Sequence, residues 1–276
     1  RHLVEAFRTF KGWRARSIKC EAATAMRIAS DCPFHGLCGG CTHRHLSEEQ
    51  RIVSLVTDLS ARVRLYGSYQ APVTVVSEVP ARGYRNRAVI QPTKGSNGQW
   101  QLSFSRTPTF EGVNLQDCLI QSPGIRSLCE SVQRALGSEY EAYTPEQNVG
   151  SLRHIILATN QLPEEDQCRV TLAFHGPTDI EKVERFRKCL SGERRALELY
   201  IDELPKRNAG LISNPKLVFS SSPFRPSVDQ RSFQVSPRSW WTQTPLSFSA
   251  LIESMRRLID FVEDDRVLEI GCGVGA

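Results

Sequence analysis

No run of apolar residues in this 276-residue chain approaches the roughly 20 that a membrane-spanning helix needs. No secretory leader pattern opens it. No internal repeat and no low-complexity tract interrupts it, which excludes solenoids and compositionally disordered segments. Charge of one sign is not in large excess, since the net charge is only +5. The nine cysteines are an odd number, which argues against a full set of internal disulfides. What remains, 40% hydrophobic and 24% charged residues, is ordinary for a globular protein and long enough for two domains. The first residue is Arg rather than Met, so a fragment is expected.

The small net charge is unevenly placed. Residues 1–30 hold seven basic side chains (Arg1, Arg8, Lys11, Arg14, Arg16, Lys19, Arg27) and two acidic ones (Glu5, Glu21), so 7 − 2 = +5 and the rest of the chain balances. Phe7, Phe10 and Trp13 are interleaved with these cations. That mixture suits a polyanion with stackable bases, although a solvated basic strand face would look the same.

Three of the cysteines fall in one short stretch, Cys32, Cys38 and Cys41, with Gly36, Gly39 and Gly40 among them. A glycine-bearing loop can curl so that several sulfurs face one ion, and its amides can approach them closely. Clustered thiols point to metal in a reducing compartment, hence to a cytoplasmic protein. The fourth ligand is open on spacing alone, with Cys20, Cys118, Cys129, Cys168, Cys189, His35, His43 and His45 as candidates. Cys129, Cys168 and Cys189 have apolar neighbours and read as buried packing thiols. One loop supplying three ligands and a distant residue the fourth favours an iron–sulfur cluster over zinc.

At the far end, Val267-Leu-Glu-Ile270 reads as a short strand feeding Gly271, Gly273 and Gly275. Glycines there remove side chains where an adenosyl ligand would lie against the backbone, although nucleotide folds of several kinds share this pattern. No helix follows within the chain, which therefore looks cut.

Between these motifs the pattern is mixed. Residues 1–30 alternate loosely, like the end of a β-rich module. Ser47-Glu-Glu-Gln50 forms a capping box before Ile52, Leu55, Val56, Leu59 and Val63, predicting a helix over 47–65. A short strand is expected over 73–76. Residues 87–91 and 100–105 form a hairpin about Lys94-Gly-Ser-Asn-Gly98. Helices are expected from Ser122-Pro123 to about Leu136, over Thr178–Leu190 and after Thr244-Pro245. Residues 153–158 and 169–174 make a second hairpin, and 217–220 and 232–235 are strands that join a last domain. Asn, Pro and Ser cluster at 205–225, as at a domain boundary. Tyr84-Arg-Asn-Arg87 and Leu152-Arg-His154 place cations at strand starts, where they could hold phosphate; residue type alone favours ordinary surface charge.

Taken together and in this order, these pieces resemble the RNA uracil-5 methyltransferase family, which makes 5-methyluridine in 23S rRNA and tRNA. The residues that carry the resemblance are the Cys32, Cys38, Cys41 loop with His45, Leu46 and Gln50, the Tyr84-Arg-Asn-Arg87 strand, the Gly150-Ser-Leu-Arg-His154 stretch, Ser236-Pro-Arg-Ser-Trp-Trp241 and the glycine turn. The resemblance covers almost all of the chain. It implies an α/β protein with an α+β centre in three parts: the end of a β-barrel TRAM module (residues 1–30), a central iron–sulfur domain (31–215) and the beginning of a Rossmann-like methyltransferase domain (216–276). It implies a 4Fe-4S cluster on Cys32, Cys38, Cys41 and Cys118, and S-adenosylmethionine held by Thr242, Gln243, Gly271 and Gly273. The family reads aromatic-aromatic-Gln where this chain has Trp240-Trp241-Thr242-Gln243, so the glutamine stands one place late. The implied reaction adds a cysteine thiolate to C6 of uracil, methylates C5 and removes the C5 proton. No cysteine here matches that nucleophile, so the chain by itself is expected to be inactive. The implied partner is RNA, with rRNA ahead of tRNA; a monomer without membrane association is expected. A non-catalytic iron–sulfur RNA-binding module is the alternative, and a zinc-dependent one the third reading.

Overall fold

The computed structural model describes residues 2–9, 12–20, 28–35, 38, 40–41, 43–66, 75, 80–105, 112–160, 167–192, 196–206, 210–259 and 262–275. The chain divides into two compact units, Arg1–Val75 and Val76–Ala276. The strand expected at 73–76 lies almost wholly outside the described residues.

In the first unit, β1 (His2–Thr9) and β2 (Gly12–Cys20) pair antiparallel, with a register irregularity between Leu3 and Val4. The thiol loop is closed at its base. The Ile28 amide donates to the His45 carbonyl (3.0 Å), and the Arg44 guanidinium donates twice to the Asp31 carboxylate (2.9 Å each). Helix α1 (Glu48–Tyr66) follows the predicted start: the Ser47 hydroxyl accepts from the Gln50 amide at 3.3 Å, and Glu48 and Glu49 oppose the positive end of the helix dipole. Its apolar stripe, Ile52, Leu55, Leu59 and Val63, is exposed.

The second unit is built on a seven-stranded sheet. Its strands in chain order are β3 (Arg87–Lys94), β4 (Trp100–Ser105), β5 (Gly112–Asn114), β6 (Leu152–Thr159), β7 (Gln167–Phe174), β8 (Ala196–Glu203) and β9 (Lys216–Ser220). They lie side by side in the order β5-β4-β3-β6-β7-β8-β9. Every pairing is antiparallel except β7 with β8, which a helix connects. That parallel pair needs a crossover, and α3 (Ile180–Ser191) supplies it. Both expected hairpins are present, and α2 (Pro123–Ala135) starts where Ser122-Pro123 predicts, with the Ser122 hydroxyl accepting from the Ile125 amide.

Because side chains alternate along a strand, the sheet has two unlike faces. Ile90, Ile155, Leu157, Leu172 and Leu199 point to one face and meet Leu128 and Val132 of α2 and Phe186 and Leu190 of α3. This is the apolar core. The register places Arg87 beside Ala158, Ala158 beside Arg169, and Arg169 beside Glu198 on the other face, with Thr171 beside Tyr200. That face is polar, and the following chain covers it.

Three expectations change. Residues 216–220 form the edge strand of this sheet beside β8, so they belong with the centre and not with a later domain. Of residues 232–235 only Ser232 is in a strand: β10 (Ser227–Val228) pairs with β11 (Arg231–Ser232). Residues 266–270 form no strand, and Val267, Leu268 and Ile270 are 68–90% exposed. β-propensity does not by itself make a strand; a ladder partner is required, and none stands beside this segment among the described residues. Helix α4 (Pro245–Leu258) starts where Thr244-Pro245 predicts. Cys129 and Cys168 are buried, but Cys189 is exposed, because it lies beyond the edge of the buried stripe of Val183, Phe186 and Leu190. No described helix is long and apolar enough to cross a membrane.

Candidate functional site

The polar sheet face is covered by residues 204–206, 210–215 and 221–243, the described chain on either side of the edge strand β9, which together act as a strap. Each fastening joins a strand side chain to strap backbone. The Arg153 guanidinium donates to the carbonyls of Leu204 (2.9 Å) and Lys206 (2.8 Å) while lying 4.6 Å over the Tyr143 ring. The Asp202 carboxylate accepts from the amides of Ser213 (2.5 Å) and Asn214 (3.0 Å). His154 Nε2 meets the Leu211 carbonyl at 2.5 Å, and burial holds this imidazole below its ordinary pKa, so the neutral ring serves as the donor. Arg169 donates to the Val235 carbonyl (2.5 Å) and to the Glu198 carboxylate (2.7 Å). The Asn, Pro and Ser that suggest a boundary at 205–225 are therefore those of a backbone-anchored strap.

Between strap and sheet lies a cleft of about 300 Å³. Its floor carries Asn86, Arg87 and Arg169, and its rim Arg238, Trp240, Trp241 and Gln243. Among the described residues, three arginines and no carboxylate line it. Arg169 is neutralised by Glu198, whereas Arg87 and Arg238 pair with no acid among the described residues. Burial, and then the neighbouring Arg85, shift the Arg87 pKa downward, the signature of a cation held without a counter-charge. Two polar atoms on the wall are buried and without a hydrogen-bond partner in the structure: Asn86 Oδ1 and Trp241 Nε1. Such atoms are uncommon and call for an explanation.

The expected cofactor residues fall in two described segments, 242–243 and 271–273. Gln243 lies on the cleft wall; Arg85 Nε donates to its side-chain oxygen at 2.5 Å, and its own carbonyl accepts from the Asn86 amide. Thr242 is buried, and its hydroxyl accepts from the Thr244 amide. Gly271 (φ +85°) and Gly273 (φ +61°) sit in an open turn, where the left-handed conformation suits glycine and nothing lies within 4 Å of where a Cβ would be. They are not part of the cleft. Positive-φ glycines with open space beside them fit an adenosyl ligand approaching the backbone.

Cys32, Cys38 and Cys41 are half-buried and in no disulfide. The Cys38 amide donates to the Phe34 carbonyl (2.9 Å) and the His35 amide to the Cys32 carbonyl (3.1 Å), so the loop is locally turned. Three thiols are the right donors for a soft metal or cluster. As placed they do not converge: no three His, Cys, Asp or Glu side chains among the described residues are gathered closely enough to hold an ion. Cys118, half-buried, belongs to the second unit.

From residue type alone Arg85, Arg87, Arg153 and His154 read as surface charge, Asn86 and Trp240 entered only within the motifs that carry the resemblance, and Arg169 and Glu198 were missed. The available signal was polar residues at every second position in otherwise apolar strands, Arg169 and Thr171 in β7 and Glu198, Tyr200 and Asp202 in β8. Period-two polarity marks a second face, and these side chains are nonetheless partly or wholly buried.

No family model matches the chain. A Bacillus cereus protein named as an uncharacterized RNA methyltransferase is 23% identical over 269 residues, 95% of this chain and 57% of its own length. Proteins of the same description from Nostoc (21% over 253 residues; 90% of this chain, 55% of theirs) and Synechocystis (26% over 171 residues; 61% and 37%) are also similar. The chain thus spans little more than half the length of such relatives. Among solved structures, the Pyrococcus abyssi tRNA (uracil-54, C5)-methyltransferase, in complex with S-adenosyl-L-homocysteine, superposes with a TM-score of 0.66 at 16% identity, over 93% of this chain and 57% of that one. In sequence, then, the chain is similar to proteins named RNA methyltransferases, and it shares its fold with a tRNA methyltransferase.

Proposed function

We propose that the chain is part of an S-adenosylmethionine-dependent RNA (uracil-5-)-methyltransferase that acts on 23S rRNA, as a cytoplasmic monomer. The observation that carries this reading is the extent of the likeness: a protein named an RNA methyltransferase aligns with 95% of the chain. tRNA is the alternative substrate, favoured by the name of the fold neighbour. In this reading residues 1–30 end a TRAM module, the central domain runs from residue 31 through the edge strand β9 at 216–220, and the methyltransferase domain begins after it. S-adenosylmethionine, when bound, supplies the methyl group. Gly271 and Gly273 leave its approach open, and Thr242 and Gln243 complete its site. Cys32, Cys38, Cys41 and Cys118 are the proposed ligands of a 4Fe-4S cluster.

Disrupting the gene is expected to remove one 5-methyluridine from 23S rRNA, as read by mass spectrometry of RNase fragments. Loss from tRNA instead would exchange the substrate. Unchanged 5-methyluridine in both RNAs would overturn the reading in favour of a non-catalytic RNA-binding module.

The cluster has its own test. Wild-type protein purified without oxygen is brown, absorbing near roughly 400 nm as cysteine-ligated iron does. Cys38→Ser yields colourless, poorly folded protein, since ligation energy is also folding energy. A Cys38→Ser protein that stays brown and soluble would remove the cluster assignment, and a colourless wild type that carries zinc would replace it.

A further inference from the structure

We propose that an ordered water is sealed beneath the first turn of α2, held by Asn86, Thr159 and Gln121, and that it ties this helix to the strand that borders the cleft. The inference rests on the fold alone and not on the proposed function.

Among the described residues, eleven buried side-chain atoms have no hydrogen-bond partner, and four of them belong to these three side chains: Asn86 Oδ1, Thr159 Oγ1 and both ends of the Gln121 amide. The residues are 3%, 3% and 0% exposed, so outside solvent does not serve them. Such a concentration calls for one cause, because buried polar groups are bonded either to protein or to internal water.

The three are neighbours through the backbone. The Thr159 amide donates to the Asn86 carbonyl at 3.0 Å, which extends the ladder of β3 and β6 one pair past Arg87 and Ala158. Asn86 borders the cleft, yet alternation puts its side chain on the face of Ala88 and Ile90. Thr159 shares that face with Ile155 and Leu157, and α2 covers it. The helix arrives closely: a Cβ on Gly124 would stand 3.3 Å from Thr159 Oγ1. Gln121 comes in from the chain just before the helix. Arg85, next to Asn86, donates its amide to the Ile120 carbonyl and accepts from the Ser122 amide, both at 2.9 Å, and so pairs with Gln121 between them.

The donor set fits water and not an ion. Asn86 Oδ1 and Gln121 Oε1 accept, Gln121 Nε2 donates, and the Thr159 hydroxyl does either. Water both donates and accepts, and an internal water typically makes about three such bonds. A cation would meet the positive end of the α2 dipole, and an anion would meet two amide oxygens. The link reaches the cleft because the Asn86 amide donates to the Gln243 carbonyl at 3.1 Å.

Thr159→Val and Gln121→Met nearly keep the volume and remove the polar atoms, so the sign of their effect is the test. With the water in place each variant strips it of a partner, and the thermal midpoint of the chain should fall by about 2–6 °C. Without it each variant removes a buried polar group that had no bond, and the midpoint holds or rises; that result overturns the proposal. A high-resolution crystal structure of the wild type decides the matter even where a variant does not fold. It should show a water within hydrogen-bond distance of Thr159 Oγ1, Asn86 Oδ1 and the Gln121 amide. Direct bonds among these side chains, with no water between them, would overturn the site. In Thr159→Val the Asn86 amide should exchange its hydrogen about tenfold faster, since the segment that holds Gln243 has lost its brace. Unchanged protection of that amide would sever the tie to the cleft.

Discussion

Gly150→Ala should lower the unfolding midpoint by roughly 6–12 °C, the equivalent of at least about 3 kcal/mol in a unit of this size. Gly150 has φ +90°, and a Cβ there would lie 2.1 Å from the Ala142 carbonyl oxygen and 2.9 Å from the Tyr143 Cα. These are backbone atoms that cannot swing away. The left-handed conformation alone costs a side chain of order 1 kcal/mol or more, and the clash adds to it. The neighbouring backbone has nowhere to move. The Tyr143 amide donates to the Leu152 carbonyl (2.9 Å), the Leu152 amide to Glu141 (2.8 Å) and the Thr144 amide to Val149 (2.8 Å). Any shift that relieves the clash breaks one of these bonds and displaces the start of β6, from which Arg153 and His154 hold the strap. Gly98→Ala is the control, because Gly98 also has positive φ (+75°) but nothing lies within 4 Å of its added Cβ. The conformational cost is then similar and the clash absent, so a midpoint shift by Gly150→Ala no larger than that of Gly98→Ala would show that close approach of the backbones is not what position 150 requires.

How far residue type reaches in this chain follows the range of each interaction. Helix starts are local, and they are legible: Ser47 and Ser122 cap where their sequences predict, and α3 begins one residue past its cap, Asp179. Hairpins joined by short turns are legible for the same reason, as β3 with β4 shows. The parallel pairing of β7 with β8 depends on which strand α3 returns beside, and no local pattern specifies it. Val267-Leu-Glu-Ile270 has the composition of a buried strand but no neighbour to pair with among the described residues, so composition overreaches there. The site was read in pieces. Gln243 and the Arg85–Arg87 segment were each singled out, yet the hydrogen bond that joins Arg85 to Gln243 spans 158 positions and belongs to the tertiary structure alone. Arg169 and Glu198 escaped notice because charged residues in strands are usually solvated, and only the strap makes them buried.

Removing Glu198 should cost the fold about 3–5 kcal/mol, the largest effect expected of any side-chain truncation in the polar layer. Both side chains of the Arg169–Glu198 pair are only 8% exposed, and Arg169 approaches the carboxylate with both Nε (2.7 Å) and a terminal nitrogen (2.6 Å). The guanidinium is also enclosed by the rings of Phe224 (4.8 Å) and Tyr200 (5.4 Å) and bonded to the Val235 carbonyl (2.5 Å). Glu198→Ala leaves that cation in place with its counter-charge gone, and it cannot reach water without lifting the strap from Phe224 to Val235. The cost arises from the orphaned arginine and not from the value of the pair itself. The double variant Arg169→Met, Glu198→Leu, which removes both charges and keeps the volume, should therefore be far closer to wild type than Glu198→Ala. Urea unfolding of the wild type, Arg169→Met, Glu198→Leu and the double variant gives the coupling directly, with Glu198→Ala measured beside them. A Glu198→Ala protein within about 1 kcal/mol of wild type would mean that the pair is hydrated like a surface one, and that the strap is not closed over the sheet in solution. A double variant as unstable as Glu198→Ala would place the loss in the packing of Phe224 and Val235 and not in the charge.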